Sequence, residues 1–180
     1  KRKMMTEIFL LIIILVLCFY ILIGVLRAGE VSNVTQRRTF AVVVGWVIIW
    51  VLSILVTDIY FEMSPLNLWA SRVSFFSSVM IAFFYFMFVK QYEKEQKSQV
   101  DVIFWGVLTG FFAAASLTHL VLLNVVIEPA EHLRSEFGVM YLPFALYTGA
   151  FFLYSSYRFY FIFKKEQNIV LRTQQFYIFI

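Results

Sequence analysis

Apolar residues fill this chain in long unbroken runs, and polar residues are confined to the short stretches between them. A helix needs roughly 20 mostly apolar residues to cross about 30 Å of hydrocarbon. Five runs meet that length: residues 7–27, 38–58, 67–89, 101–127 and 138–163. A sixth begins near Ile169 and is still apolar at Ile180, while the chain opens on Lys1, so both ends are expected to be cut. The pattern predicts an all-α fold, a polytopic transmembrane helical bundle with five complete spans and the start of a sixth, in one domain over 1–180. No connector has the length or composition of a folded soluble domain. The first run is too long for a signal-peptide core, and no small-x-small cleavage site follows it, so a retained helix is expected.

The connectors alternate in sign. Arg27, Arg37 and Arg38 follow the first run, and Asp58 and Glu62 flank the next gap. Lys90, Lys94 and Lys97 follow the third run, Glu128, Glu131 and Glu136 the fourth, and Lys164, Lys165 and Arg172 the fifth. Cytoplasmic loops of membrane proteins retain Lys and Arg. With the N-terminus outside, nine basic residues fall inside, and only Lys1, Arg2, Lys3 and Arg134 fall outside. A multi-pass protein of the cell (plasma) membrane, N-terminus outside, is the expectation. Composition agrees: 62% hydrophobic, 20% aromatic and 14% charged residues is more apolar surface than a soluble core of this size can hide. The +4 net charge is then a property of loops beside the lipid bilayer, and nucleic acid is not an expected partner.

Polar groups within spans are costly and therefore informative. Arg72 lies about one turn into the third run, with Ser71, Ser74 and Ser78 beside it at helical spacing. It could meet a ligand in an outward-facing pocket, pair with Asp58 or Glu62, or snorkel to the surface. His119 and Asn124 fall in the outer half of the predicted fourth helix, and Tyr147 lies in the fifth. Arg72, Ser74, His119, Asn124 and Tyr147 are the candidate ligand contacts. Gly106-x-x-x-Gly110 gives a small-residue face, which packing within the bundle explains and homodimerisation would also use. Pro143 frees a backbone carbonyl in the first third of the fifth run, which predicts a kink.

Catalytic signatures do not appear. There is no Gly-x-Ser-x-Gly, phosphate loop or His-Glu-x-x-His, and no pair of carboxylates within the membrane. Cys18 is the single cysteine, and His119 and His132 stand too far apart for a metal signature. No catalytic residue, metal or cofactor is expected.

Asn33-Val34-Thr35-Gln36-Arg37-Arg38-Thr39-Phe40, followed by an apolar stretch ending in Trp50, resembles the N-terminal seven-transmembrane region of bacterial and archaeal histidine kinases. Leu68-Trp69-Ala70-Ser71-Arg72-Val73 is similar to the start of that region's third helix, and Ala82-Phe83-Phe84-Tyr85-Phe86 to its aromatic exit. Gly138-Val139-Met140-Tyr141 and Arg172-Thr173-Gln174-Gln175 also fit. The resemblance runs from about Thr6 to Ile180. It implies a seven-helix sensor module, N-terminus outside, joined through its last helix to a C-terminal cytoplasmic signalling module such as a PAS, histidine-kinase or diguanylate-cyclase domain. It also implies a homodimer. The rest of the sixth helix, the seventh and any catalytic module are not in these residues, so no kinase chemistry is expected of them.

The expected function is a membrane-embedded sensory input domain, in which an unknown small ligand or another outer or membrane-level stimulus is relayed to a cytoplasmic effector. The alternative is a small membrane transporter or channel-like protein, which would show discontinuous helices and a polar path at mid-membrane. A membrane-embedded enzyme using His119 would lack the second group that acid–base work requires.

Overall fold

The computed structural model describes residues 2–27, 34–59, 64–92, 99–128 and 132–165. Five helices and one hairpin follow in chain order: α1 (Arg2–Arg27), α2 (Val34–Ile59), α3 (Ser64–Lys90), α4 (Gln99–Ser116), β1 (Leu122–Glu128), β2 (His132–Phe137) and α5 (Tyr141–Lys165). The expected sixth helix from Ile169 lies outside the described residues, as do Glu62, Lys94, Lys97 and Arg172.

Among the described residues, three helices are long and apolar enough to cross a membrane: Thr6–Arg27, Val34–Ile59 and Pro65–Lys90. The first makes the membrane argument most simply. Its most apolar stretch has no residue buried inside the protein, so it presents apolar side chains on every face. Water does not tolerate such a helix, and hydrocarbon does. α1 packs on α2, and α2 in turn packs on α3. On α2, Val44, Ile48, Val51 and Leu55 are buried at 4-3-4 spacing, the stripe that a packed helix hides. Phe40 reaches Phe88 (5.3 Å between ring centres) and Trp46 meets Phe76 edge-on (5.5 Å, 62°), fixing α2 against α3.

α3 is the centre of the bundle, with α2, α4, α5 and β1 all packed on it. Pro65 opens it in the first turn, where a missing N–H costs nothing. Its far end is held by polar contacts. The buried Lys90 places Nζ 3.6 Å from Asp101 Oδ2 in the first turn of α4 and 6.0 Å from the centre of the Phe86 ring. Gln91 Nε2 donates to Thr39 Oγ1 at 2.6 Å, and Thr39 Oγ1 donates to the Thr35 carbonyl. A lysine that charge counting places in a loop is therefore a structural tie between helices.

The fourth predicted helix, 101–127, is corrected. α4 stops at Ser116, about 27 Å long at 1.5 Å per residue, and the rest of that run becomes β1. Two hydroxyls cap the break. Ser116 Oγ donates to the Ala113 carbonyl (2.7 Å) and Thr118 Oγ1 to the Ala115 carbonyl (2.8 Å). Leu117 N and Thr118 N close tighter three-residue bonds to Ala114 and Ala115. Beyond the break, Val121, Val125, Val126 and Ile127 are β-branched and favour extended backbone.

The fifth predicted helix, 138–163, begins instead at Tyr141, so Pro143 falls in its first turn. An N–H there has no intrahelical partner to lose, and the expected kink has no cause. α5 has the length of a span, but Tyr141, Tyr147, Tyr154, Tyr157, Tyr160, Ser155, Ser156 and Arg158 dilute its apolar content.

Candidate functional site

The hairpin caps the end of the bundle where α4 stops and α5 starts. Its strands pair antiparallel from Leu122↔Phe137 to Glu128↔His132, with a shift between Leu122 and Asn124. Leu123 is the extra residue of a bulge. Side chains on a regular strand alternate with period two, so Leu122 and Val125 would face opposite ways. The bulge resets the alternation, and both are buried while Leu123 and Asn124 are exposed. At the base, Gly138 N donates to the Val121 carbonyl (3.0 Å) and Met140 N to the Leu120 carbonyl (2.8 Å). A Cβ on Gly138 would collide with the carbonyls of His119 and Leu120, so only glycine closes this turn.

Arg72 fastens the cap to α3. Its Nη2 donates to the Leu122 carbonyl at 3.2 Å, and its guanidinium carbon lies 5.7 Å from the centre of the Trp69 ring. Its Nε is buried with no hydrogen-bond partner among the described residues. The hydrogen bond goes to a backbone carbonyl and not to the Asp58 carboxylate. The other candidates separate. His119 is exposed in the turn after α4, and Asn124 is exposed on β1, its Oδ1 accepting from Val125 N at 2.9 Å. Neither is on a helix. Among the described residues no three His, Cys, Asp or Glu side chains are grouped to hold a metal.

Ser74 lines a cleft of about 380 Å³ on the α2–α5 side of α3. Its floor is Ser74, Phe75 and Ser78 of α3; Trp50 and Ile54 of α2 form one wall. The other wall is α5, from Tyr141 and Phe144 to Ala145, Thr148 and Gly149. Gly149 is exposed, and a Cβ added to it would meet nothing within 4 Å. Ser78 Oγ donates to the Phe75 carbonyl (2.7 Å) and Thr148 Oγ1 to the Phe144 carbonyl (3.0 Å), so both hydroxyls turn lone pairs, not protons, to a visitor. Phe75 stands edge-on to both Tyr141 and Phe144, at 81° and 89°, and keeps the floor rigid.

Tyr147 lies on the opposite side of α5, in the seam facing α4. It stacks on Phe112 (4.4 Å, 13°) and on Phe151 (5.5 Å, 24°), and Phe151 stacks on Trp105 (4.6 Å, 16°). Thr109 Oγ1 donates to the Trp105 carbonyl (2.7 Å), which leaves it to accept from the Tyr147 hydroxyl (2.7 Å). Thr109, Phe112 and Phe151 were not singled out from sequence; the i, i+4 spacing of Tyr147 and Phe151 was the available signal. A Cβ on Gly106 would stand 3.9 Å from the Phe83 ring of α3, an ordinary contact that alanine would also make. Gly110 is exposed, and a Cβ there would meet nothing within 4 Å, so close packing among the described residues requires glycine at neither position.

Fold and site define a class: an α-helical membrane domain, with a hairpin clamped over one end of the bundle and a lateral cleft beneath it. No known protein family, no curated protein and no solved structure matches the chain.

Proposed function

We propose that this chain is the membrane-embedded sensory input domain of a histidine-kinase-type receptor, set in the plasma membrane with its N-terminus outside. The observation that carries this is the double role of α5. It forms one wall of the lateral cleft, and it runs the depth of the bundle to Lys164 at the opposite end from the hairpin. A molecule that binds in the cleft changes the contacts of α5 with α2 and α3, and the far end of α5 can carry the difference onward. A useful response requires that one arrangement of the helices bind the ligand better by about 1–3 kcal/mol.

Charge supports the orientation. Arg27, Arg37, Arg38, Lys90 and Lys164 belong to helix ends on the side away from the hairpin, which the retention of basic residues assigns to the cytoplasm. The hairpin and the mouth of the cleft then belong to the outer half. The test is the coding sequence beyond Ile180. Further spans leading into a PAS, histidine-kinase or cyclase module are expected. A stop codon soon after the sixth apolar segment would overturn the sensory role and favour the small transporter, which flux into liposomes would then detect.

A further inference from the structure

From the hydrogen-bonding capacity of the cleft, we infer that its ligand is a neutral, flat, ring-bearing molecule dissolved in the bilayer, carrying a hydroxyl donor: a phenol or quinol type of headgroup. Four observations support this. No Asp, Glu, Lys, Arg or His lines the cleft, so a charged ligand would lose its hydration with nothing in exchange. The aromatic side chains Trp50, Phe75, Tyr141 and Phe144 offer ring faces and edges to a planar guest. The hydroxyls of Ser78 and Thr148 have already donated to their own helices and can only accept, while the Ser74 and Tyr141 hydroxyls beside them can also donate, so the group that suits the cleft both donates and accepts, as a hydroxyl does. The volume, about 380 Å³, falls within the range of small-molecule sites. α2 and α5 flank α3 here with small residues, Ala145 and Gly149, on the α5 side, so entry is sideways from lipid.

What binding would signal rests on the sensory role above; binding itself does not. The probe is 6-bromo-2-naphthol, a neutral, membrane-soluble ring with one hydroxyl and a heavy atom that quenches tryptophan. The full chain in phosphatidylcholine vesicles is titrated with it while tryptophan emission is read. Saturable quenching is expected, and it is lost in Trp50→Phe. Gly149→Leu, which grows into open space and so leaves the fold intact, weakens apparent affinity at least about tenfold by occupying the cleft. Ser78→Ala with Thr148→Val removes the two hydroxyls that can only accept and weakens it by about five- to tenfold. The methyl ether of the same bromonaphthol, which cannot donate, binds as weakly to the parent chain.

Quenching that never saturates, and is the same in Gly149→Leu and with the methyl ether, would mean partitioning into lipid alone and overturn the site. Saturable quenching that the methyl ether reproduces at equal affinity would overturn the donor requirement. Saturable, donor-dependent binding without any change in receptor output would uphold the site and overturn the sensory role instead.

Discussion

Two grooves run along α5, and they are built oppositely. Toward α4 the helix turns Tyr147 and Phe151, which stack with Phe112 and Trp105 and fill the space between helices with rings. Toward α2 it turns Ala145, Thr148 and Gly149, and the space stays open. Stacked rings make the α4–α5 joint. Side-chain volume on two stripes of one helix thus decides which joint is fixed and which can admit a guest. The fixed joint also has a polar tie, from Tyr147 through Thr109 to the Trp105 carbonyl. In the open one, the Ser78 and Thr148 hydroxyls donate within their own helices and tie nothing together.

Breaking the fixed joint has the largest expected effect. Phe151 is buried to 1% exposure, and Phe151→Ala should cost about 3–5 kcal/mol of stability, read by reversible unfolding in mixed detergent. Next comes the hairpin that closes the end above both grooves. Gly138→Ala forces a methyl group onto the His119 and Leu120 carbonyls and should cost about 3 kcal/mol in the same assay. Arg72→Ala removes a charged hydrogen bond to Leu122, worth about 1.5–2 kcal/mol. That variant should insert normally, while amide exchange in β1 accelerates and stimulus response shifts; an unaltered response in the stable variant would remove Arg72 from signalling. The finest adjustment is Tyr147→Phe, which keeps the stack and deletes the tie to Thr109, for about 0.6 kcal/mol.

Much of this architecture was legible in the order of residues. Runs 7–27, 38–58 and 67–89 correspond to α1, α2 and α3 within a few residues, because apolar length is the dominant signal for a helix in lipid. Hydropathy failed at 101–127, where an apolar strand continues an apolar helix without a polar break. The Ser116 and Thr118 caps and the β-branched residues Val121 and Val125 to Ile127 carried the missing information. Of the serine stripe, Ser74 and Ser78 lie on the floor of the cleft. Arg72 stood out as well, but its partner is a carbonyl fifty residues away, which no local pattern encodes. His119 and Asn124 resemble intramembrane polar groups only if their segment is helical, and it is a turn and a strand. The aromatic seam stayed hidden because a chain this rich in Phe and Tyr does not say which rings will meet.

The most direct test compares the two grooves in one experiment. Spin labels are placed at Leu52 and Leu146, across the α2–α5 groove, and in a second sample at Phe111 and Leu153, on α4 and α5, with Cys18 replaced by Ala in both. All four positions are exposed, so the labels disturb little of the packing. Pulsed dipolar distances are then measured in vesicles with and without 6-bromo-2-naphthol. The α2–α5 distance distribution is expected to shift while the α4–α5 distribution stays put. Equal shifts in both, or none in either, would contradict an openable joint beside a fixed one.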